Sequence, residues 1–482
     1  MENSDKRVVV IGGGISGLTA AFTLFNSGLH NLGYEVVLIE AQSVLGGAIR
    51  TQRGEHLIVD LGPESFSSQR PAVLNLAKQL GIESQVVSQQ RQTTFISKQQ
   101  RLHPIPDGLM SFNPDRILPF LSSRLFSPWG KVRMALEPLI VSRPIADDES
   151  LADFVRRRFG QEALDRLVDP LVGGIYGNDP ELVSARATVP RLWDLEQNYG
   201  SVIMGLRHER KKNAGTNRPS ESSMSSFEGG MSVLVEALSD CLRAHLRVIH
   251  QPVISLEQGQ NGGRWDVYCR GGMRISTQGV IVATPAVEAG SLLLHLDREL
   301  ASLLHSISYT APMVVALLYE QSALRAPLKG SGFLIPKAER RFLRACSFSS
   351  NKFPNRLLPD KLLLRLSLET QLIPQLANLT DTEITLLVEH DLRQHLSLHA
   401  EATHSIVARH GPAIPQYAPR HKTLVEAIQR RVDNLPGLAL VGNAYGGIGV
   451  ADCVARATEE ASRIAALLSE EMRSSASTRY SA

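Results

Sequence analysis

Arg7-Val8-Val9-Val10-Ile11-Gly12-Gly13-Gly14-Ile15-Ser16-Gly17, continued by Leu18-Thr19-Ala20-Ala21-Phe22-Thr23-Leu24-Phe25, decides how the chain begins to fold. Val8 to Ile11 is an apolar, β-branched run and reads as a buried strand. Leu18 to Phe25 carries apolar residues at helical spacing. Between them Gly12, Gly14 and Gly17 stand in the G-x-G-x-x-G pattern of a strand–turn–helix unit. Gly12 permits the tight turn, Gly14 lets a pyrophosphate approach the backbone, and Gly17 lets the helix pack close to the strand. Gly13, Ile15 and Ser16 complete the cradle, where free N–H groups and the positive end of the helix dipole face phosphate.

A glycine pattern alone is weak, and its context supplies the strength. A second strand, Glu35-Val36-Val37-Leu38-Ile39-Glu40, ends in an acid placed to take ribose hydroxyls. Leu45-Gly46-Gly47-Ala48-Ile49-Arg50-Thr51 and Asp60-Leu61-Gly62-Pro63-Glu64-Ser65 follow. The double glycine resembles the second fingerprint of two-dinucleotide-binding-domain flavoproteins, which favours FAD over NAD. Many members of that superfamily carry Arg or Lys where Ala48 stands, and Arg50 is the candidate to supply the charge instead. At the far end Leu438-Ala439-Leu440-Val441-Gly442-Asn443 and Gly446-Gly447-Ile448-Gly449-Val450-Ala451 repeat the strand–turn–helix arrangement. In flavoproteins of this superfamily such a segment closes the flavin site, its helix dipole stabilising negative charge.

Composition sets bounds. The chain has 482 residues, enough for two or three domains, with 43% hydrophobic and 21% charged residues, as expected of a soluble globular protein. A net charge of +3 gives no argument for nucleic acid. Cys241, Cys269, Cys346 and Cys453 are scattered, without zinc or disulfide spacing, which fits a reducing compartment. Met1 to Lys6 is polar and reads as neither signal peptide nor transit segment. No apolar run is long enough for a membrane-spanning helix.

Further along, 70–81 reads as a helix closed by Gly81, and Thr93 to Ile96 as a strand. Asp107 to Val141 mixes Leu109, Met110, Phe112, Leu118, Phe120, Phe126 and Trp129 with Arg116, Arg124, Lys131 and Arg133. Burial in a helical subdomain and contact with a membrane surface both account for it. Ser150 to Leu171 reads as a helix capped by Ser150, with Arg156-Arg157-Arg158 as its solvated face. His208 to Ser226 reads as a loop, followed by a helix over Ser232 to His245. Strands are predicted at Arg247–His250, Pro252–Leu256, Trp265–Arg270, Gly279–Val282, Met313–Tyr319 and Lys361–Leu368. A helix over Thr380 to Leu396 is capped by Thr380 or Asp381.

Several pieces are more specific. They are Gly62-Pro63-Glu64-Ser65-Phe66, Leu102-His103-Pro104-Ile105-Pro106, Leu192-Trp193-Asp194-Leu195-Glu196 and Tyr199-Gly200-Ser201 with Val202-Ile203. Others are Ser226-Phe227 with Gly229-Gly230, Ser349-Ser350 before Phe353-Pro354-Asn355-Arg356, Ile414-Pro415-Gln416-Tyr417, and Gly447 to Val450 with Cys453. In this order they resemble the oxygen-dependent protoporphyrinogen oxidases and bacterial coproporphyrinogen III oxidases of the FAD amine oxidase superfamily, from Val8 to about Leu467.

That resemblance implies an α/β with α+β architecture. A Rossmann-like FAD-binding domain (1–75, 228–290 and 425–468) is interleaved with a mixed-sheet substrate domain (76–100, 187–227 and 291–424). A helical domain (101–186) is the candidate for membrane association, and 469–482 forms a disordered tail. The resemblance implies FAD as cofactor. Gly12 to Gly17, Glu40 and Ala41 then lie along the adenosine and pyrophosphate, and Gly46, Gly47 and Arg50 beside them. Gly62, Pro63, Glu64 and Ser65 lie near the isoalloxazine, Val253 near the adenine, Ala283 and Gly442 along the cofactor, and Gly447, Ile448, Gly449 and Val450 at the pyrimidine end. The implied reaction is stepwise oxidation of a porphyrinogen to a porphyrin, with oxygen taking the electrons.

The chain departs from the family at one place. Some eukaryotic members hold a substrate propionate with an arginine where Thr94 falls here, and Arg91, Lys98 and Arg101 are the nearby cations. Protoporphyrinogen IX is the first expected substrate and coproporphyrinogen III, with four carboxylates rather than two, the alternative. Thr94 and Leu334 are the substrate-side candidates. Glu64 is the candidate polar group beside the flavin, and no firm catalytic base is visible. The absence of a second G-x-G-x-x-G after a strand argues for an oxidase over an NADPH-using reductase. Two rivals stand beside this reading, another FAD amine oxidase and a non-enzymatic flavin-bound tetrapyrrole carrier. The expected location is the cytoplasm. Peripheral membrane contact, a ferrochelatase-type partner and a homodimer are the associations admitted.

Overall fold

The computed structural model describes residues 6–55, 57–106, 109, 120, 122–142, 148–212, 224–259 and 264–480. Strand Arg7–Ile11 shows why its sequence is apolar throughout. Val8 and Val10 enter one core cluster, Val9 and Ile11 another, because successive side chains leave a strand on opposite faces. A strand buried on both sides belongs in a covered parallel sheet. The parallel sheet runs Arg247–His250, Glu35–Glu40, Arg7–Ile11, Gly279–Val282, Leu438–Leu440. Helices Ile15–Asn26, Ser232–Leu242 and Val450–Tyr480 cover one face. The meander Val253–Gln258, Trp265–Cys269, Arg274–Thr277 covers the other, with helices Ala286–Leu293, Arg298–His305 and His421–Asp433. Register sets Ile11 opposite both Ile39 and Val282, and Val282 opposite Leu440. The carboxyl ends of four strands therefore meet at one edge, where open α/β sheets bind their ligands.

A second sheet has seven strands, in the order His404–Arg409, Met313–Glu320, Lys361–Leu368, Leu343–Phe348, Gly332–Leu334, Thr94–Lys98, Arg101–Pro104. Leu317, Tyr319, Phe333, Leu364 and Leu366 pack one face under helix Asp381–His395, which Thr380 opens with a capping box. The opposite face meets the hairpin of strands Thr51–Gly54 and Leu57–Asp60 through Ala316 and Leu363 against Val59. It meets a helical lobe through Ile96, Leu334 and Ala345.

The helical lobe differs from expectation in three ways. Helix Leu151–Phe159, capped by the Ser150 hydroxyl, stops at Gly160 rather than running to Leu171. Gly160 has φ +91°, and a Cβ there would lie 2.7 Å from Arg133 Cγ. Arg133 satisfies the carbonyls of Arg156, Arg157 and Arg158 at the helix end. Second, Arg156-Arg157-Arg158 is not a solvated face. Arg158 is fully buried between Glu137 and Glu196, and Arg157 pairs with Glu149 and Glu196. Third, helix Val202–Lys212 passes through His208, where a loop was expected. The His208 ring lies 5.0 Å from the Tyr199 ring at a 36° tilt, and Glu209 pairs with Arg191. Helices Pro190–Tyr199 and Val202–Lys212 bury Trp193, Leu195 and Leu206 in the same core cluster as Ile96, Leu334 and Ala345 of the seven-stranded sheet. Most of the expected 208–226 loop, at 213–223, and residues 107, 108, 110–119 and 121 lie outside the described residues.

The C-terminal segment also departs from expectation. Helix Val450–Tyr480 continues where a disordered tail was expected from Ser469. Leu468 is buried, Met472 packs on the same core, and Glu471 pairs with Arg264.

Candidate functional site

The glycine turns come together at the carboxyl edge of the parallel sheet. Gly12 has φ +104°, and its N–H donates to the Ile39 carbonyl at 2.8 Å. A Cβ on Gly17 would sit 1.8 Å from the Gly12 carbonyl oxygen, so only glycine fits there. Gly14 caps helix Ile15–Asn26 with ordinary extended backbone and without a side-chain capping bond. The helix start therefore presents unsatisfied donors, which suits an anion. Glu40 ends its strand with both oxygens on the loop, accepting from Gly13 N–H at 2.6 Å and Gln42 N–H at 2.8 Å. The two fingerprints touch, for Gly46 N–H donates to the Gly13 carbonyl at 2.8 Å.

These glycines are of two kinds. Gly12, Gly17 and Gly62 are packed against backbone. Gly14, Gly442 and Gly446 face space, with no protein atom nearer than 3.9 Å to a built Cβ. The open ones run along the sheet edge from the first helix to the C-terminal turn. The buried Thr284 hydroxyl, just after Ala283, has no partner in the protein. A cradle with open glycines, an uncapped helix start, an orphaned hydroxyl and Glu40 at one end fits an extended dinucleotide such as FAD. Arg50 is exposed, and its Nε donates to the Gly47 carbonyl at 3.3 Å. Ala41 is exposed beside Glu40, Val253 opens the meander opposite Cys269, and Val450 is buried at the last helix start.

Four distant segments close into one network beside this cradle. Asp60 accepts from Arg356 Nη1 at 2.7 Å, from the Thr51 hydroxyl at 2.6 Å and from Met231 N–H at 2.8 Å. Arg356 Nη2 reaches Ser226 Oγ at 2.6 Å and the Phe227 carbonyl at 2.7 Å. The Ser226 hydroxyl donates to the Glu64 carbonyl at 2.9 Å. The Glu64 carboxylate accepts from the Ser347 hydroxyl at 3.0 Å, from Lys352 Nζ at 3.0 Å and from the Ser349 hydroxyl. Burial opposes ionisation of Glu64, but Lys352, Arg365 and the Ser349 hydroxyl outweigh it and hold the carboxyl at about 2. A carboxylate so stabilised is a poor proton acceptor near neutral pH. The Glu64 carboxylate therefore ties the Gly62–Ser65 turn to Ser347, Ser349 and Lys352.

The seven-stranded sheet supplies the facing wall. Register places Thr94, Gly332, Ser347, Arg365 and Ala316 in one row across five strands. Arg365 donates Nε to the Asp60 carbonyl at 2.9 Å and Nη2 to the Gly62 carbonyl. His410 Nε2 lies 2.8 Å from the Leu61 carbonyl, so that nitrogen carries the proton. Thr94 shares a hydrogen bond of 2.9 Å with Ser331. Leu334, one row further, is buried among the helical lobe, filling the space a side chain on Gly174 would take. It is core at this position. Lys98 is committed to the carbonyls of Arg124 and Leu125. A buried cation unforeseen from sequence, Arg344, donates to the Gly177 and Asn178 carbonyls at 2.9 and 3.4 Å.

Asp60, Lys352, Arg356 and Arg365 were missed as site residues. Ser226 and Arg356 stood inside the specific motifs and Asp60 two residues before one, and that was the available signal. Arg365 looked like one residue of the predicted strand Lys361–Leu368.

A family model described as flavin containing amine oxidoreductase matches residues 15–465. The coproporphyrinogen III oxidase of Bacillus subtilis is 29% identical over 94% of this chain and 97% of its own. Protoporphyrinogen oxidase 1 of Spinacia oleracea chloroplasts is 30% identical over 96% of this chain and 84% of its own. A crystal structure from Exiguobacterium sp. 255-15, provisionally named protoporphyrinogen oxidase, superposes with a TM-score of 0.83 at 26% identity, covering 96% and 99% of the two chains. Cyclohexylamine oxidase from Brevibacterium oxydans shares the fold at 17% identity, with a TM-score of 0.65 over 96% and 100% of the chains.

Proposed function

The chain belongs to the flavin-containing amine oxidoreductase family, and on that premise we propose that it oxidises protoporphyrinogen IX to protoporphyrin IX in haem biosynthesis. The reaction is a series of dehydrogenations, each matched by reduction of one dioxygen to hydrogen peroxide. FAD, when bound, supplies the two-electron acceptor that oxygen can reoxidise. Gly12 to Gly17 and Glu40 would hold its phosphates and ribose, and Gly442 and Gly447 to Val450 would receive its other end. Arg365 fixes the Gly62 carbonyl, and Arg356 fixes Asp60, Ser226 and Phe227 beside that turn. Asp60 and Glu64 act by holding backbone in place. Positioning matters most where hydride moves over a few ångström.

One observation carries the reading. Segments that carry the resemblance to porphyrinogen oxidases, Gly62–Phe66, Ser226–Phe227 and Phe353–Arg356, meet in one hydrogen-bonded network beside the cofactor cradle. Coproporphyrinogen III is the second reading, favoured by the Bacillus subtilis relative. The test is oxygen-dependent growth of porphyrin fluorescence with FAD-loaded protein and each porphyrinogen in turn. Faster turnover of protoporphyrinogen supports the first reading and faster turnover of coproporphyrinogen the second. No turnover of either, with flavin bound, overturns both.

The expected membrane contact has a surface to rest on. Among the described residues no helix is long and apolar enough to cross a membrane. Trp129, Val132, Leu136, Leu139 and Val141 are nevertheless exposed, Trp129 by 83% and Val141 by 84%. Their spacing follows helix Pro128–Ala135 and the turn after it, while Phe126 and Met134 pack inward. We read the stripe as a peripheral membrane contact. Liposome flotation that is lost in Trp129→Ser supports it, and failure of the parent to float overturns it in favour of a ferrochelatase-type partner or a homodimer.

A further inference from the structure

We propose that Tyr417 is a positioning residue whose hydroxyl clamps the Asn443–Gly447 turn and so sets where FAD is held, an inference that rests on the flavin site described above. Tyr417 is buried, and its ring stacks on His421 at 3.9 Å with 11° between the planes. The hydroxyl donates to the Asn443 carbonyl and accepts from Gly447 N–H at 3.1 Å. His421 Nε2 donates to the Ala444 carbonyl at 2.9 Å, and Asn443 Nδ2 donates to the Ala413 carbonyl at 2.7 Å. One short segment, Ala413 to His421, thus grips the turn by four hydrogen bonds.

The turn needs outside support. Gly442 leads into it and Gly446 and Gly447 lie within it, with φ +134° at Gly442 and +133° at Gly447, and glycine has the most backbone freedom to lose. Gly442 and Gly446 face open space on the cradle side, so nothing within the protein braces them there. The clamp is itself anchored on the helical lobe. The Tyr417 carbonyl accepts from Ser184 N–H at 2.6 Å, and Asp148 accepts from the Ser184 hydroxyl at 2.9 Å and from Arg420 N–H at 2.6 Å. The hydroxyl of Tyr417 therefore joins the lobe to the start of the C-terminal helix.

Tyr417→Phe keeps the stacked ring and removes two hydrogen bonds. The FAD dissociation constant of the full chain should rise about five- to tenfold, as expected when about 1 kcal/mol of hydrogen bonding is lost, and the visible flavin bands should shift. Parental affinity with a parental spectrum overturns the proposal, even if thermal stability falls. Gly14→Val, made alongside, separates the two failures. Loss of FAD in Gly14→Val with a parental Tyr417→Phe removes the clamp alone, whereas undiminished FAD binding in Gly14→Val removes the flavin site and the clamp with it. Should Tyr417→Phe not fold, Asn443→Ala decides. It removes only the bond to Ala413, so weaker FAD binding supports the clamp and parental binding overturns it.

Discussion

Arg356 Nη1 lies 2.7 Å from Asp60 Oδ2, across 296 residues of chain. Both side chains are almost fully buried. Burial is the larger influence on Asp60 and pushes its carboxyl upward despite the neighbouring guanidinium. Such a pair is costly to bury. Its use lies in connection, because one arginine joins the hairpin after the second fingerprint, strand Met224–Phe227 and the turn leaving the seven-stranded sheet.

Removing that connection should be expensive. Arg356→Ala leaves Asp60 buried without its partner, and breaking a buried pair from one side costs about 3–5 kcal/mol. Arg356→Lys retains the charge but cannot reach the carboxylate, Ser226 and Phe227 together, so it should recover only part of the loss. Denaturant midpoints and FAD content after purification measure this. Parental values for Arg356→Lys would show that charge alone suffices.

Glu64 gives a prediction with a defined pH window. Its folded carboxyl lies at about 2, below the usual carboxylate range. The group therefore adds stability that is fully present above about pH 4.5 and is lost as pH falls towards 2, a contribution on the order of 3 kcal/mol. Asp60, raised by burial, offsets part of this. Glu64→Gln should lose a similar amount at pH 7 and flatten the acid limb of the unfolding curve. If it were a proton carrier instead, stability would change little and the pH profile of turnover would move.

Much of this site was legible in the sequence because it depends on local geometry. Gly12, Gly17 and Gly62 announce turns too tight for a side chain, and the apolar run Val8–Ile11 announces a strand covered on both faces. Ser150 and Thr380 cap the helices they were expected to cap. The unread part is long-range. Nothing near Arg158 in sequence shows that Glu137 and Glu196 will enclose it, so a run of arginines looks like a wet surface. Lys352 and Glu64 meet across 288 residues. Nor does Ser469 reveal that Leu468 and Met472 will find a core to extend the last helix.

Arg158 makes that point testable. It pairs with Glu137 at 3.2 Å and Glu196 at 2.7 Å, and donates to the Ile140 and Gly200 carbonyls at 2.8 and 2.7 Å. Arg158→Met should cost about 3–5 kcal/mol because two carboxylates are left buried. Arg156→Gln, at the exposed neighbour, should stay within about 0.5 kcal/mol. Equal effects at the two positions in chemical denaturation would contradict the buried network.

Three histidines, His421 buried and His395 and His410 partly buried, predict acid sensitivity at milder pH. Burial, the largest cause at each, lowers the protonation of His395, His410 and His421 below the ordinary range. The unfolded chain takes up protons as pH falls through about 6.5 while the folded chain resists. Stability is therefore greatest above that pH and declines below it, each excluded proton adding up to about 1.4 kcal/mol per pH unit to the slope. The melting temperature should fall between pH 7.5 and 5.5, and His395→Gln should make that fall shallower. A melting temperature independent of pH over this range would refute the assignment.

Gly14 and Gly17 separate folding from cofactor binding within one turn of helix. A Cβ at Gly17 would lie 1.8 Å from the Gly12 carbonyl oxygen, a distance that real atoms do not tolerate. Gly17→Ala should therefore push helix Ile15–Asn26 off its strand and lower stability by at least about 2 kcal/mol. At Gly14 φ is −74°, and the nearest atom to a built Cβ is Gly47 Cα at 3.9 Å. Gly14→Val should leave the melting temperature of FAD-free protein nearly unchanged while its isopropyl group occupies the space meant for pyrophosphate. FAD titration by fluorescence should show little binding to Gly14→Val and should show that Gly17→Ala, where it folds, binds weakly as well. Retention of FAD by a stable Gly14→Val would mean that the open glycines are not where the phosphates lie, and the cradle would have to be sought elsewhere along the sheet edge.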